Sequence, residues 1–134
     1  MSISRSFISS THEPKENRDC YAAEWVLSDA GSRILTVRET IEGNEASIVL
    51  EGSLRSDTQF FFKDELTALA TVDVDVIIDC SELKKISNAC QKALIEVQHL
   101  MDSIRRGTLT LCKVPEEILK EFKASGADGS LNIE

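Results

Sequence analysis

VDVIIDCSELKKISNACQKALIEVQHLMDSI, residues 74–104, is the stretch in which the period of the chain changes. Residues 74–79 are mostly apolar and β-branched, as in a strand buried on both faces of a sheet, and Asp79 closes the run. Ser81, Glu82, Lys84 and Lys85 read as a loop, and Ser87 and Asn88 stand where a helix begins. From there Ala89, Ala93, Leu94, Val97, Leu100, Met101 and Ile104 recur at helical spacing, and Gly107 is placed to end the helix. A strand, a loop and a helix start imply an α/β protein. The junction matters because a helix start exposes unpaired backbone N–H groups and the positive end of the dipole, so an anion can be held or sensed there.

Working outward, residues 34–39 and 46–51 are partly alternating runs joined across Glu42, Gly43, Asn44 and Glu45, and they pair as a hairpin. Ser56 and Gln59 have capping-box spacing ahead of a helix whose inner face carries Phe62, Leu66, Leu69 and Ala70. Phe60 falls nearly opposite Phe62 on that helix and is expected in solvent. Residues 108–112 suit another strand; Pro115, Glu116, Glu117, the stripe Ile118, Leu119, Phe122 and the stop Gly126 define a third helix. A last short strand is expected around Leu131 and Ile133. Residues 1–19, rich in serine and charge, read as a flexible arm. Residues 20–27, with Tyr21 and Trp25, are too apolar for water and should pack on the domain or on a second copy, which leaves a homodimer open. The expected organisation is an N-terminal extension over 1–31 and one domain over 32–134.

The chain's 134 residues can bury a core without disulfides. No apolar run approaches the roughly 20 residues that cross a bilayer, and the first residues do not resemble a signal peptide, so a cytoplasmic protein with no membrane insertion is expected. Fifteen basic residues against 23 acidic give a net charge of −8, and the pairs Lys84–Lys85 and Arg105–Arg106 are isolated, which argues against a nucleic-acid partner. Cys20, Cys80, Cys90 and Cys112 contain no C-x-x-C pair, and the two histidines do not supply metal-ligand spacing; reduced, packed thiols and a solvated His99 are the plainer reading, with no metal or cofactor. Cys80 and Cys112 are expected at the ends of strands that could be neighbours.

The element order β-β-α-β-α-β-α, with Leu50, Gly52 and Leu54 before the first helix and the Ser87–Cys90 tetrapeptide before the second, resembles the STAS domain, the anti-sigma factor antagonist family. The resemblance implies a mixed four- to five-stranded sheet with helices, opening on the β-hairpin. The family's L-x-G-x-L-D is matched by Leu50, Gly52 and Leu54, with Arg55 in place of the aspartate. The family's D-S-S-G, whose first serine accepts phosphate from a partner kinase, is replaced by Ser87, Asn88, Ala89 and Cys90. Asn88 has no hydroxyl to accept phosphate and, being neutral, is a poor mimic of a phosphoserine; it would cap the helix. Ser87 is left as a displaced acceptor or as a helix cap.

The resemblance further implies a non-enzymatic module that binds proteins through Ser53, Leu54, Arg55, Asp57, Ser87, Asn88, Ala89 and Gln91, with Ile95 on an outer face of the helix shared with Gln91, Gln98 and Asp102. The partner would be an anti-sigma factor or a switch-kinase-like protein; the alternative is a structural subunit of a larger complex, such as a lipid-transport ATPase or a stressosome-like assembly. No nucleotide-binding, metalloprotease or serine-hydrolase motif is present. A receiver domain would explain Asp79 at a strand end, but such a domain opens strand-helix-strand, and residues 34–51 leave no room for a helix.

Overall fold

A computed structural model describes residues 3–15, 18–70, 74–104 and 107–134. Six strands form one sheet in the order of the chain: β1 (Ile3–Lys15), β2 (Arg18–Asp29), β3 (Ser32–Glu42), β4 (Glu45–Leu54), β5 (Asp75–Ile86) and β6 (Leu109–Cys112). Strands β1 to β4 are an antiparallel meander, whereas β4, β5 and β6 run parallel. The parallel pairs need crossovers, supplied by α1 (Gln59–Ala70) and α2 (Asn88–Ile104). Helix α3 (Glu116–Ser125) follows β6, starts after Pro115 and stops at Gly126 in the left-handed region, φ 80°.

The mixed α/β fold and the β3–β4 hairpin agree with the expectation, and the sheet has six strands where four to five were expected. The difference lies in the first 29 residues. The expected flexible arm is strand β1, paired along its length with β2, and the sheet crosses the expected boundary at residue 32 without a break. Strand β1 is an edge strand, paired with β2 alone. Trp25, Val26 and Leu27 of β2 are buried in the domain's own core.

Alternation along each strand sets the layers. Leu35, Val37, Ile48, Leu50, Val76 and Ile78 are buried in the core, as are Phe62, Leu66 and Leu69 of α1 and Leu94, Val97 and Met101 of α2. Strand β5 runs to Ile86, so the expected loop at 81–86 is strand. Its pairing with β4 carries register shifts between Val49 and Glu51 and between Gly52 and Ser53, and these hide the alternation from a reading of period alone. Asp79 therefore lies within β5, opposite Cys112, rather than at a strand end. The expected capping box is absent: a 3₁₀ turn (Ser56–Thr58) precedes α1, and Thr58 bonds the Arg55 carbonyl instead. Leu131 and Ile133 form no full strand; Ile133 makes a single bridge to Leu111. Phe60 is 69% exposed, as its phase on α1 requires. Arg105 and Arg106 lie outside the described residues.

Candidate functional site

The parallel pairing of β4 with β5 places Leu54 opposite Ile86, so the end of β4 and the start of α2 meet at one point. The Ser87 N–H donates to the Leu54 carbonyl at 2.8 Å, and the Ser87 hydroxyl accepts from the Cys90 N–H at 3.1 Å. Ser87 is thus the N-cap of α2, and Asn88, which the sequence reading made the cap, is the first helical residue, with its side chain exposed. The reason is geometric. Ser87 still pairs with β4 through its N–H, in the extended backbone a cap requires, which leaves the next residue to begin the helix.

The Arg55 carbonyl gathers the rest of the junction. It accepts from the Thr58 N–H at 3.0 Å, from the Thr58 hydroxyl at 2.8 Å and from the Cys90 thiol at 3.3 Å. Cys90 is fully buried there, and burial pushes its thiol above the ordinary range against smaller opposing hydrogen bonds from Ser87 and Thr58. A thiol that keeps its proton is a packing group and not a nucleophile. The Arg55 guanidinium is held by Asp57, with Nε to Oδ1 at 3.0 Å and a second bond to Oδ2, and Asp29 stands 3.8 Å away. The Arg55 cation is therefore neutralised by carboxylates from two other positions.

The nine residues singled out in the sequence lie around this junction but not on one surface. Ser53, Arg55, Asp57, Ser87 and Ala89 are half-buried and Asn88 is exposed, whereas Leu54 and Gln91 are buried beneath them. The expected outer face of α2 is corrected in the same way. Gln91 is 2% and Gln98 7% exposed, and Ile95 is partly buried against the core; beside Gln91 and Ile95 lie Ser125 and Ala127 of the C-terminal segment. Ser125 donates its hydroxyl to Gln91 Oε1, while Gln91 Nε2 and Gln98 Oε1 have no partner. Asn88, Gln91, Lys92, Ile95, Ser125 and Ala127 together line a cleft of about 360 Å³ beside the helix start. Ser125 and Ala127 were missed in the sequence, since only the tertiary fold brings residues so far apart in the chain together.

Asp79 is held below the usual carboxylate range, first by hydrogen bonding from Ser81, whose N–H lies at 2.9 Å, with Lys113 3.7 Å away. Among the described residues no group of three or more histidine, cysteine or acidic side chains is arranged to hold a metal. No helix among them is long and apolar enough to cross a membrane.

The family described as "Mlab, STAS domain" matches residues 37–133. The crystal structure of an anti-sigma factor antagonist from Mycobacterium paratuberculosis superposes with a TM-score of 0.65 at 11% identity, over 74% of this chain and 84% of that one. The anti-sigma factor antagonist SpoIIAA in its unphosphorylated form gives a TM-score of 0.57 at 13% identity, over 68% and 80% of the two chains. At these identities the likeness is one of fold. No curated protein matches at a significant level. With the family's pattern matched from β3 through the C-terminal bridge, the chain belongs to the STAS family.

Proposed function

We propose that this chain is a non-enzymatic, cytoplasmic regulatory module that binds a protein partner through the start of α2 and works without phosphoryl transfer at that site. One observation carries the reading. Asn88, which the family resemblance puts at the acceptor position, is exposed and has no hydroxyl, while the neighbouring Ser87 hydroxyl accepts as the helix cap. Ser53, Arg55, Asp57, Ser87, Asn88, Ala89 and Ile95 form the contact surface, and Leu54 and Gln91 support it from below.

The partner class of this reading is an anti-sigma factor or a switch-kinase-like protein. The missing hydroxyl equally suits a structural subunit of a larger complex, for which an acceptor that cannot be phosphorylated is no handicap; a lipid-transport ATPase is the example. Affinity capture from the host with the wild-type chain and with Asn88→Glu tests both. Recovery of a kinase-like anti-sigma protein supports the first and of a transporter ATPase the second, in each case with loss of the partner from Asn88→Glu. A partner retained undiminished by Asn88→Glu would remove this surface from the account.

A further inference from the structure

Strand β3 turns one row of side chains to the core, and that row is apolar until it reaches a carboxylate. Leu35 and Val37 are buried, Glu39 and Ile41 are half-buried, and the period of two puts all four on one face. Glu39 is flanked there by Ala23 of β2 and Ile48 of β4, the latter 2% exposed. Neither side chain offers a carboxylate a hydrogen bond or a charge. A carboxyl group among apolar neighbours is costly to ionise unless a cation answers it.

The cation that reaches this place comes from β1 and is already engaged. Arg5 stands opposite Leu27, two rows from the row of Ala23 and Glu39. Its guanidinium lies over the rings of Phe7 and Trp25, 4.9 and 4.6 Å from their centroids, and those rings form the row between. There it is ion-paired with Glu65 of α1. Glu65 acts on Glu39 by its charge and by a hydrogen bond, and Arg5 acts on Glu39 in the opposite sense. One guanidinium thus stands between two carboxyl groups, one from the sheet and one from the helix. The Arg5 and Glu65 side chains are 28% and 23% exposed, so solvent reaches the cluster.

The charged groups around Glu39 are therefore Glu65 from α1 and Arg5 from β1. One row further lie Tyr21 of β2 and, opposite it in register, His12 of β1. The core-facing row of β4 is Ala46, Ile48 and Leu50, which carries no charge.

We propose that Arg5, Glu39 and Glu65 form a pH-dependent latch that fastens the edge strand β1 to α1, closed when Glu39 takes up a proton from solvent and loosened when it gives the proton back. With Glu39 neutral, Arg5 belongs to Glu65 alone. With Glu39 ionised, two carboxylates compete for one guanidinium and repel each other across it. Burial first, and then the charge of Glu65, raise the Glu39 carboxyl above its ordinary 4.5. Its contribution is accordingly complete below pH 4.5 and is lost as the pH climbs through the raised value.

Amide exchange of the full chain, followed by NMR and corrected for the intrinsic rate, tests this in wild type, Glu39→Gln and Glu65→Gln. In wild type the protection of β1 amides relative to those of β5 should fall several-fold between pH 4.5 and neutrality. Glu39→Gln, which fixes the uncharged form, should hold it high throughout. Glu65→Gln releases Arg5 to Glu39, so protection should no longer fall as the pH rises. Carbon-detected titration of the side-chain carboxyls supplies a reading that needs no variant to fold: Glu39 should titrate above 4.5 in wild type. A Glu39 that titrates at or below 4.5, β1 protection that does not fall with pH in wild type, or a fall that either variant leaves intact would each overturn the proposal.

Discussion

The junction at Ser87 and the N-terminal hairpin of β1 and β2 both join the sheet by backbone pairing but differ in what supports it. At the junction the fastening is short and local to the backbone: a strand N–H to Leu54, a serine cap on Cys90 and three donors on the Arg55 carbonyl. The hairpin joins the sheet through the β2–β3 backbone ladder and adds long side chains to it. Trp25 is buried in the core, and Arg5 lies 4.6 Å from its ring centroid and 4.9 Å from that of Phe7 while pairing with Glu65 of α1. Glu39, beside this pair, has its carboxyl raised, first by burial and then by the charge of Glu65. The contrast teaches where each region tolerates change. The hairpin rests on a long backbone ladder and a buried tryptophan, whereas the junction rests on a few backbone bonds at the end of β4 and the start of α2.

The largest expected effect lies in the hairpin. Trp25→Ala should cost about 3–5 kcal/mol in denaturant unfolding, the usual range for a buried tryptophan, and would break the comparison if it cost less than about 1 kcal/mol. Gly52→Ala attacks the strand that feeds the junction. Its positive φ and the Ile34 carbonyl together predict a loss of about 2–3 kcal/mol. Ser87→Ala removes the cap and should cost about 1 kcal/mol, with faster amide exchange in the first turn of α2. Arg5→Ala should cost less still, under about 1 kcal/mol, because both partners of its ion pair retain some exposure, yet it should raise exchange along β1 selectively.

A last difference concerns the thiols. Cys20 on β2 is half-buried, while Cys80 and Cys90 are buried, so a water-soluble thiol reagent should label Cys20 well before either. Burial pushes the Cys80 thiol up to about 12, against 9.0 for an ordinary one. The folded chain therefore keeps a proton that the unfolded chain releases. Its contribution is fully present below pH 9 and is lost as the pH rises toward 12, and Cys80→Ala should flatten that alkaline decline.

Much of this architecture is legible in the sequence where period and partner are local. The β3–β4 hairpin, α2 and α3 carry their signals within a few residues, and Phe60 could be assigned to solvent from phase alone. Strand β1 is not legible, because its serines and charges gain a place in the sheet only from pairing with β2. The length of β5 is hidden by its register shifts. Gln91 looks solvent-facing because Ser125, which bonds it, lies 34 residues further along the chain. At the candidate site, a serine and an asparagine at the start of α2 are plain from the sequence, but that Ser87 rather than Asn88 caps the helix needed the position of the Cys90 N–H.

The central claim, a helix start that binds without being phosphorylated, is tested most directly by peptide mass spectrometry of the chain recovered from its host with its partner bound. The account predicts that the peptide spanning Ser87 and Asn88 carries no phosphate in the bound fraction or in the free one. Phosphate on Ser87 in either fraction, changing with the partner's presence, would contradict it.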